Sequence, residues 1–246
     1  MFVDVGSPRL PSSPSIARLP ATDFRGVSAV DFGRMSAALH VDSSSAVVVG
    51  SANPLLAAKL WWLFTIYGLP SGAHVIDRWP EEIEGEEKRG SDTVTRAASP
   101  SWTPSVIEGA IATASDVMTA SSRGLQLIDV RTAAEYAGLD VRGGASRGGH
   151  VPGAVNVPWS DFLDQSSGTW RDTTGLRRVF LEARVDVSRP SIVYCQSGMR
   201  ATACVLALRA AGAPTLAANY EASMHEWLAD ESLPIVSGSA PGPTLS

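Results

Sequence analysis

The sequence predicts an α/β fold in which a central parallel sheet is flanked by helices. Two patterns predict it. Short apolar strands alternate with helical stretches between residues 105 and 236, the order that parallel βαβ units require, and two of the helical stretches end at a glycine, Gly68 and Gly212. The composition agrees: 246 residues with 44% hydrophobic and 18% charged side chains can fill a sizeable core.

Five segments follow from the chain order. Residues 1–22 carry Arg9, Arg18, several serines and Pro8, Pro11 and Pro14, and read as a disordered tail. Residues 23–80 form a short compact segment. A helix is expected over 27–40, a buried strand over 46–49, and a helix entered through Pro54 and running to Gly68. A second strand follows at Val75 and Ile76, with Trp61 and Trp62 as core or domain-interface residues. Residues 81–104, rich in charge and ending in Pro100 and Pro104, read as a linker. Residues 105–236 form the fuller domain, with strands at 125–130, 154–157, 191–194 and 215–219. Helices are expected near 115–120, 174–183, 201–211 and 223–228, and a Gly/Arg-rich loop covers 138–149. Residues 237–246, built of Gly, Ser and Pro, read as a disordered tail. The strand–helix–glycine unit of the first segment matches that of the second weakly, each followed by a tryptophan, Trp79 and Trp227.

Several function classes are excluded. A net charge of −5 and a pI near 5.4 argue against nucleic-acid binding, which needs a basic face. The apolar run 55–67, interrupted by Lys59 and Thr65, is too short to span a bilayer. Two cysteines, Cys195 and Cys204, make no disulfide framework, and the four histidines have no metal-ligand spacing, so neither metal nor cofactor is expected. This cysteine usage suits a reducing compartment, the cytoplasm, with a mitochondrial address as the alternative because the first residues faintly resemble a transit peptide.

The chemistry concentrates at Cys195, Gln196, Ser197, Gly198, Met199 and Arg200. An apolar strand ends in Cys195, Gly198 lets the backbone turn, and Arg200 opens a helix. Amide N–H groups of the loop, the positive end of the helix and the Arg200 guanidinium all favour the thiolate over the thiol. The expectation is a reachable sulfur at the mouth of a cup of amide hydrogens. Cys204, inside the helix among Ala203, Val205 and Leu206, is expected to pack as an apolar residue.

These residues carry a resemblance. The six-residue run from Cys195 to Arg200 resembles the active-site loop of rhodaneses, the thiosulfate sulfurtransferases. Gly149-His-Val-Pro-Gly-Ala-Val-Asn-Val-Pro-Trp159 is similar to their signature turn, and Leu127-Ile-Asp-Val-Arg131 with Glu135 and Tyr136 to their opening strand. The stretch 217–227 resembles their C-terminal signature, with Ala222 where glycine and Met224 where an aromatic is usual. Residues 57–62 ahead of Gly68 are similar to the helix of the inactive first domain of tandem rhodaneses. The resemblance therefore implies a catalytic rhodanese-like domain preceded by a partial, inactive rhodanese-like segment. The opening strand and signature turn of that segment have no counterpart here, as in a degenerate or truncated copy.

The resemblance implies transfer of sulfane sulfur from thiosulfate to cyanide or a thiol through a persulfide on Cys195. The Cys195 loop would hold the persulfide, and Arg200 would steady the loop and attract the donor. Asp129 would hydrogen-bond loop backbone. Arg131 would brace the loop or touch substrate, and Arg142 and Arg147 become candidates for substrate binding. His150 would tie backbone together. The rivals are a 3-mercaptopyruvate sulfurtransferase, disfavoured by Arg200 and Glu135, and a non-catalytic rhodanese-like binding module. A Cys-x5-Arg phosphatase is disfavoured by the four residues between Cys195 and Arg200.

Overall fold

The structure, a computed structural model, describes residues 26–39, 41–43, 45–77 and 102–245. The expected tail 1–22, Trp79 and all of the expected linker up to residue 101 lie outside the described residues. The chain divides into two units, Met1–Ile107 and Glu108–Ser246. Among the described residues no helix is long and apolar enough to cross a membrane.

The first unit is a βαβ unit with one added helix. Helix α1 (Ala29–Ala38) begins at Ser28, whose hydroxyl accepts from the Asp31 amide at 3.1 Å. Strands β1 (Val47–Gly50) and β2 (Ala73–Ile76) pair in parallel. Parallel neighbours need a crossover, and α2 (Pro54–Ile66) supplies it, with Asn53 as its cap and Pro54 in its first turn. Because α2 is apolar almost all round, it is buried almost all round. Trp61 and Trp62 are core residues, and even Lys59 is buried, its ammonium 4.3 Å from the Trp62 ring centre. Phe32 of α1 packs edge-on against Phe64, ring centres 4.9 Å apart.

The second unit carries five parallel strands in the order β3-β7-β6-β4-β5. In chain order these are β3 (Ile111–Ala112), α3 (Ala114–Met118), β4 (Gln126–Asp129), α4 (Ala133–Ala137) and β5 (Val155–Asn156). A 3-10 turn (Trp159–Phe162) and α5 (Thr173–Glu182) lead to β6 (Ser191–Tyr194), α6 (Met199–Ala210), β7 (Ala218–Tyr220) and α7 (Ser223–Ala229). The strand and helix expectations hold for the main elements. The short β3 and α4 were not foreseen, although Thr132 and Glu135 form a capping box that a closer pass would read as a helix start. Strand β6 is buried at all four positions and lies between β4 and β7, with Asp129 beside Tyr194. The chain moves outward from β4 to β5, then crosses back to β6 on the other side of β4. The carboxyl ends of β4 and β6 therefore flank the point where strand order reverses, where open α/β sheets bind ligands.

The C-terminal residues correct an expectation. Residues 237–245 are placed against the second unit rather than left free. His150 and Val236 exchange backbone hydrogen bonds of 2.8 and 3.0 Å, Gly238 donates to Ala137, Gly153 donates to Pro241, and Leu245 packs on the core. Composition misses this because the segment has no period of its own and is held by backbone groups of the 149–153 turn. That turn depends on Gly149. Its φ is 132°, and a Cβ there would land on the Val236 carbonyl, whose carbon is 2.9 Å away. Gly149→Ala should lower stability by about 2–4 kcal/mol in urea unfolding. Limited proteolysis should then release the peptide after Val236, which the unaltered protein should retain.

Candidate active site

Strand β6 delivers Cys195 to the reversal point, and the chain turns at once into α6. Gly198 makes the turn with φ 80°, and a Cβ there would stand 2.5 Å from the Glu221 carbonyl oxygen and 2.9 Å from Glu221 Cα. Only glycine satisfies both the dihedral and the space. The carbonyls of the loop are held from the start of α7: Met224 N–H donates to Cys195 at 3.1 Å and His225 N–H to Gln196 at 2.9 Å. Buried Asn219 donates to the Gly198 carbonyl at 3.2 Å. The amides are in the opposite condition. Among the described residues, the N–H groups of Gln196, Ser197, Gly198, Met199 and Arg200 have no hydrogen-bond acceptor.

The sulfur is less accessible than expected. Cys195 is 1% exposed, because its amide and its carbonyl bind Ser223 and Met224 and draw the start of α7 over it. Ser223 Oγ accepts from the Cys195 amide at 3.1 Å, donates to the Tyr220 carbonyl at 2.6 Å and stands 4.0 Å from Sγ. Ser223 also takes the left-handed backbone, φ 55°, whereas Ala222 is helical at φ −67°. The sequence departure at Ala222 therefore meets no backbone obstacle. Cys204 is fully buried, and burial pushes its thiol far above the usual range. It packs as an apolar residue, as the sequence predicts.

The arginines have separate partners. Arg200 makes a two-pronged ion pair with Glu135, 2.7 and 2.8 Å, and Glu135 is fully buried. The same carboxylate accepts from the Thr132 amide and hydroxyl at 3.1 and 3.0 Å. Burial alone would push the Glu135 carboxyl up, but the Arg200 hydrogen bonds and charge, with those of Thr132, hold it down at about 2. Arg200 is held at the loop end by Glu135, a geometry that serves to steady the loop. Arg131 and Asp129 form a buried pair with contacts of 2.7 to 3.1 Å, and Arg131 also donates to the Gly149 carbonyl at 2.7 Å. Arg131 braces backbone, and Asp129 accepts the Arg131 amide at 2.9 Å. Arg147 donates to the carbonyls of Trp227, Leu228, Asp230 and Leu233, and so caps the end of α7. Arg142 alone among these four arginines is half exposed. It contacts Asp140 at 2.8 Å and Glu135 at 3.7 Å, beside Gln196 in one cleft. His150, fully buried, bonds the Tyr136 carbonyl through Nδ1 at 2.9 Å and stacks on the Tyr136 ring, tying backbone as expected.

Ser223 was missed as part of this site and carried no signal in the sequence. Glu135 was noted for the donor choice, but its pairing with Arg200 was not foreseen.

Comparison with known proteins gives consistent likenesses. The family described as "Rhodanese-like domain" matches residues 113–230. A thiosulfate sulfurtransferase of Gallus gallus is 30% identical over 219 residues, covering 83% of this chain and 71% of that protein. One of Corynebacterium glutamicum is 31% identical over 202 residues, covering 78% of this chain and 66% of that protein. The crystal structure of SseA from Escherichia coli, described as a 3-mercaptopyruvate sulfotransferase of "rhodanese" fold, superposes with a TM-score of 0.59. It is 23% identical and covers 77% of this chain and 72% of that one, and it speaks to the fold.

Glu135→Gln leaves Arg200 without its counter-charge and should cost about 2–3 kcal/mol of stability at neutral pH. The native carboxyl is lowered from its ordinary 4.5 to about 2, so its contribution is present above 4.5 and is lost as pH falls towards about 2. Urea unfolding at pH 5 and pH 3 should therefore show a smaller acid-induced loss in Glu135→Gln than in the unaltered protein.

Proposed function

The chain belongs to the rhodanese family of sulfurtransferases, and on that footing we propose that it carries sulfane sulfur from thiosulfate to a thiophilic acceptor through a persulfide on Cys195. The Cys195 thiolate attacks the outer sulfur of thiosulfate. A new S–S bond forms at Sγ, the donor's S–S bond breaks, and its electron pair leaves with sulfite. Cyanide or a thiolate then attacks the outer sulfur, and the electron pair returns to Sγ. One displacement becomes two, with no metal or cofactor invoked in either.

The observation that carries this reading is the set of five loop amides, Gln196 to Arg200, with no acceptor among the described residues, around a cysteine at the sheet's reversal point. Donors fixed in advance around a developing anion stabilise it without rearrangement. Arg142, half exposed beside Gln196, is the cation proposed to draw the donor dianion. Asp129, Arg131 and Arg147 act as bracing groups. The first unit, whose strand β1 ends at Gly50 where the second carries Cys195, is proposed as a partial, chemically silent copy. Glu135 stands where an arginine that grips the carboxylate of 3-mercaptopyruvate would be expected, and the loop ends in Arg200; both support thiosulfate as the donor.

One observation favours a second reading, a non-catalytic binding module: the sulfur is 1% exposed. Mass spectrometry after thiosulfate treatment separates the two. A gain of one sulfur on the peptide holding Cys195 is expected, and Cys195→Ser should retain under about 1% of thiosulfate–cyanide transfer, as loss of a sole nucleophile predicts. No gain of sulfur, or transfer that survives in the variant, removes Cys195 as nucleophile. Turnover with thiosulfate should also exceed turnover with 3-mercaptopyruvate.

A further inference from the structure

A cleft of about 250 Å³ opens beside the active loop, between residues 142–146, Gln196 and the end of α7 through Glu231. Charges of both signs line it. Arg142, the cation proposed to draw the donor, also contacts Asp140 and Glu135. Glu231 is exposed and has no ion pair among the described residues, so the cleft also carries an unmatched carboxylate. Also lining the cleft, the N–H groups of Gly143, Gly144 and Ser146 have no acceptor among the described residues, while the turn at 143–144 engages the Ala145 amide. Gly143 and Gly144 are both left-handed, φ 74° and 72°, and present backbone with no Cβ in the way. The lining thus offers unpaired amide donors and an unpaired carboxylate, with Met224 and Leu228 as apolar members.

We propose that this cleft seats the sulfur acceptor, and that the acceptor is a small thiol bearing both a carboxylate and an ammonium group, an amino-acid thiol. The carboxylate is taken by the amides of Gly143, Gly144 and Ser146 and the ammonium by Glu231, while the thiol is directed to Cys195. The walls lie next to that residue: Gln196 follows it in the chain and the Met224 amide binds its carbonyl at 3.1 Å. A persulfide places the sulfur to be transferred about 2 Å beyond Sγ, which shortens the remaining reach. The step balances without an oxidant. The acceptor thiolate forms an S–S bond to the outer sulfur, the bond from that sulfur to Sγ breaks, and its electron pair restores the Cys195 thiolate. The proton of the outer sulfur leaves with the product persulfide. This inference rests on the persulfide reading above.

The test uses the full chain loaded with thiosulfate, freed of donor and checked by mass spectrometry for one added sulfur. Discharge rates are then measured with L-cysteine, cysteamine, 3-mercaptopropionate, 2-mercaptoethanol and cyanide, each thiol corrected for its thiolate fraction. L-Cysteine should discharge the protein about tenfold more efficiently than 2-mercaptoethanol. Glu231→Gln, an exposed change, should lower the efficiency of L-cysteine and cysteamine by about two- to fivefold, and leave 3-mercaptopropionate and cyanide where they were. Equal discharge by the four thiols, or an equal effect of Glu231→Gln on all acceptors, overturns the acceptor cleft while the persulfide stands. A chain that gains no sulfur overturns both readings.

Discussion

The site depends on two backbone hydrogen bonds, from Met224 and His225 to the carbonyls of Cys195 and Gln196. By occupying the loop's acceptors from one side, they leave its donors without protein partners. A loop whose carbonyls are bound and whose amides are free is a binding surface for negative charge before any ligand arrives. The same bonds bring α7 over Cys195 and account for its burial. Gly198 makes the arrangement geometrically accessible, since any side chain there would strike the Glu221 backbone.

Around this loop, charge is distributed by pairing rather than by number. Arg131 and Asp129 neutralise each other out of water, and Arg200 and Glu135 do so at the loop's end. Buried pairs of this kind bring little net stability compared with apolar packing, but breaking one leaves a costly uncompensated charge. Their structural effects differ: Arg131 ties the end of β4 to the Gly149 carbonyl, and Arg200 ties the loop end to α4. Arg147 serves the carbonyls that end α7, which keeps in place the helix that itself holds the loop. Arg142, shared with Asp140 and Glu135, and Glu231, without an ion pair among the described residues, line the neighbouring cleft.

The 149–153 turn shows the same economy in backbone bonding. His150 stacks on Tyr136, pairs with Val236 through its backbone, and lies beside the Gly149 carbonyl that Arg131 holds.

Local chemistry was readable along the chain. Apolar strands of about four residues, the glycine that turns β6 into α6, and a cysteine at that junction are patterns written within ten residues of one another, because period and backbone freedom act over that range. So the α/β class, Cys195 with its loop, and the packing of Cys204 were all legible. The partner of Arg200 lies 65 residues away and the carbonyls taken by Arg147 about 80 residues away. Ser223 meets Cys195 across 28 residues, and the C-terminal segment meets the 149–153 turn across more than 80. Those meetings follow from the strand order β3-β7-β6-β4-β5, which the crossovers set and no short window of sequence contains. Whether an arginine faces a substrate, a carboxylate or a helix end is a property of that order, and so is the burial of the sulfur.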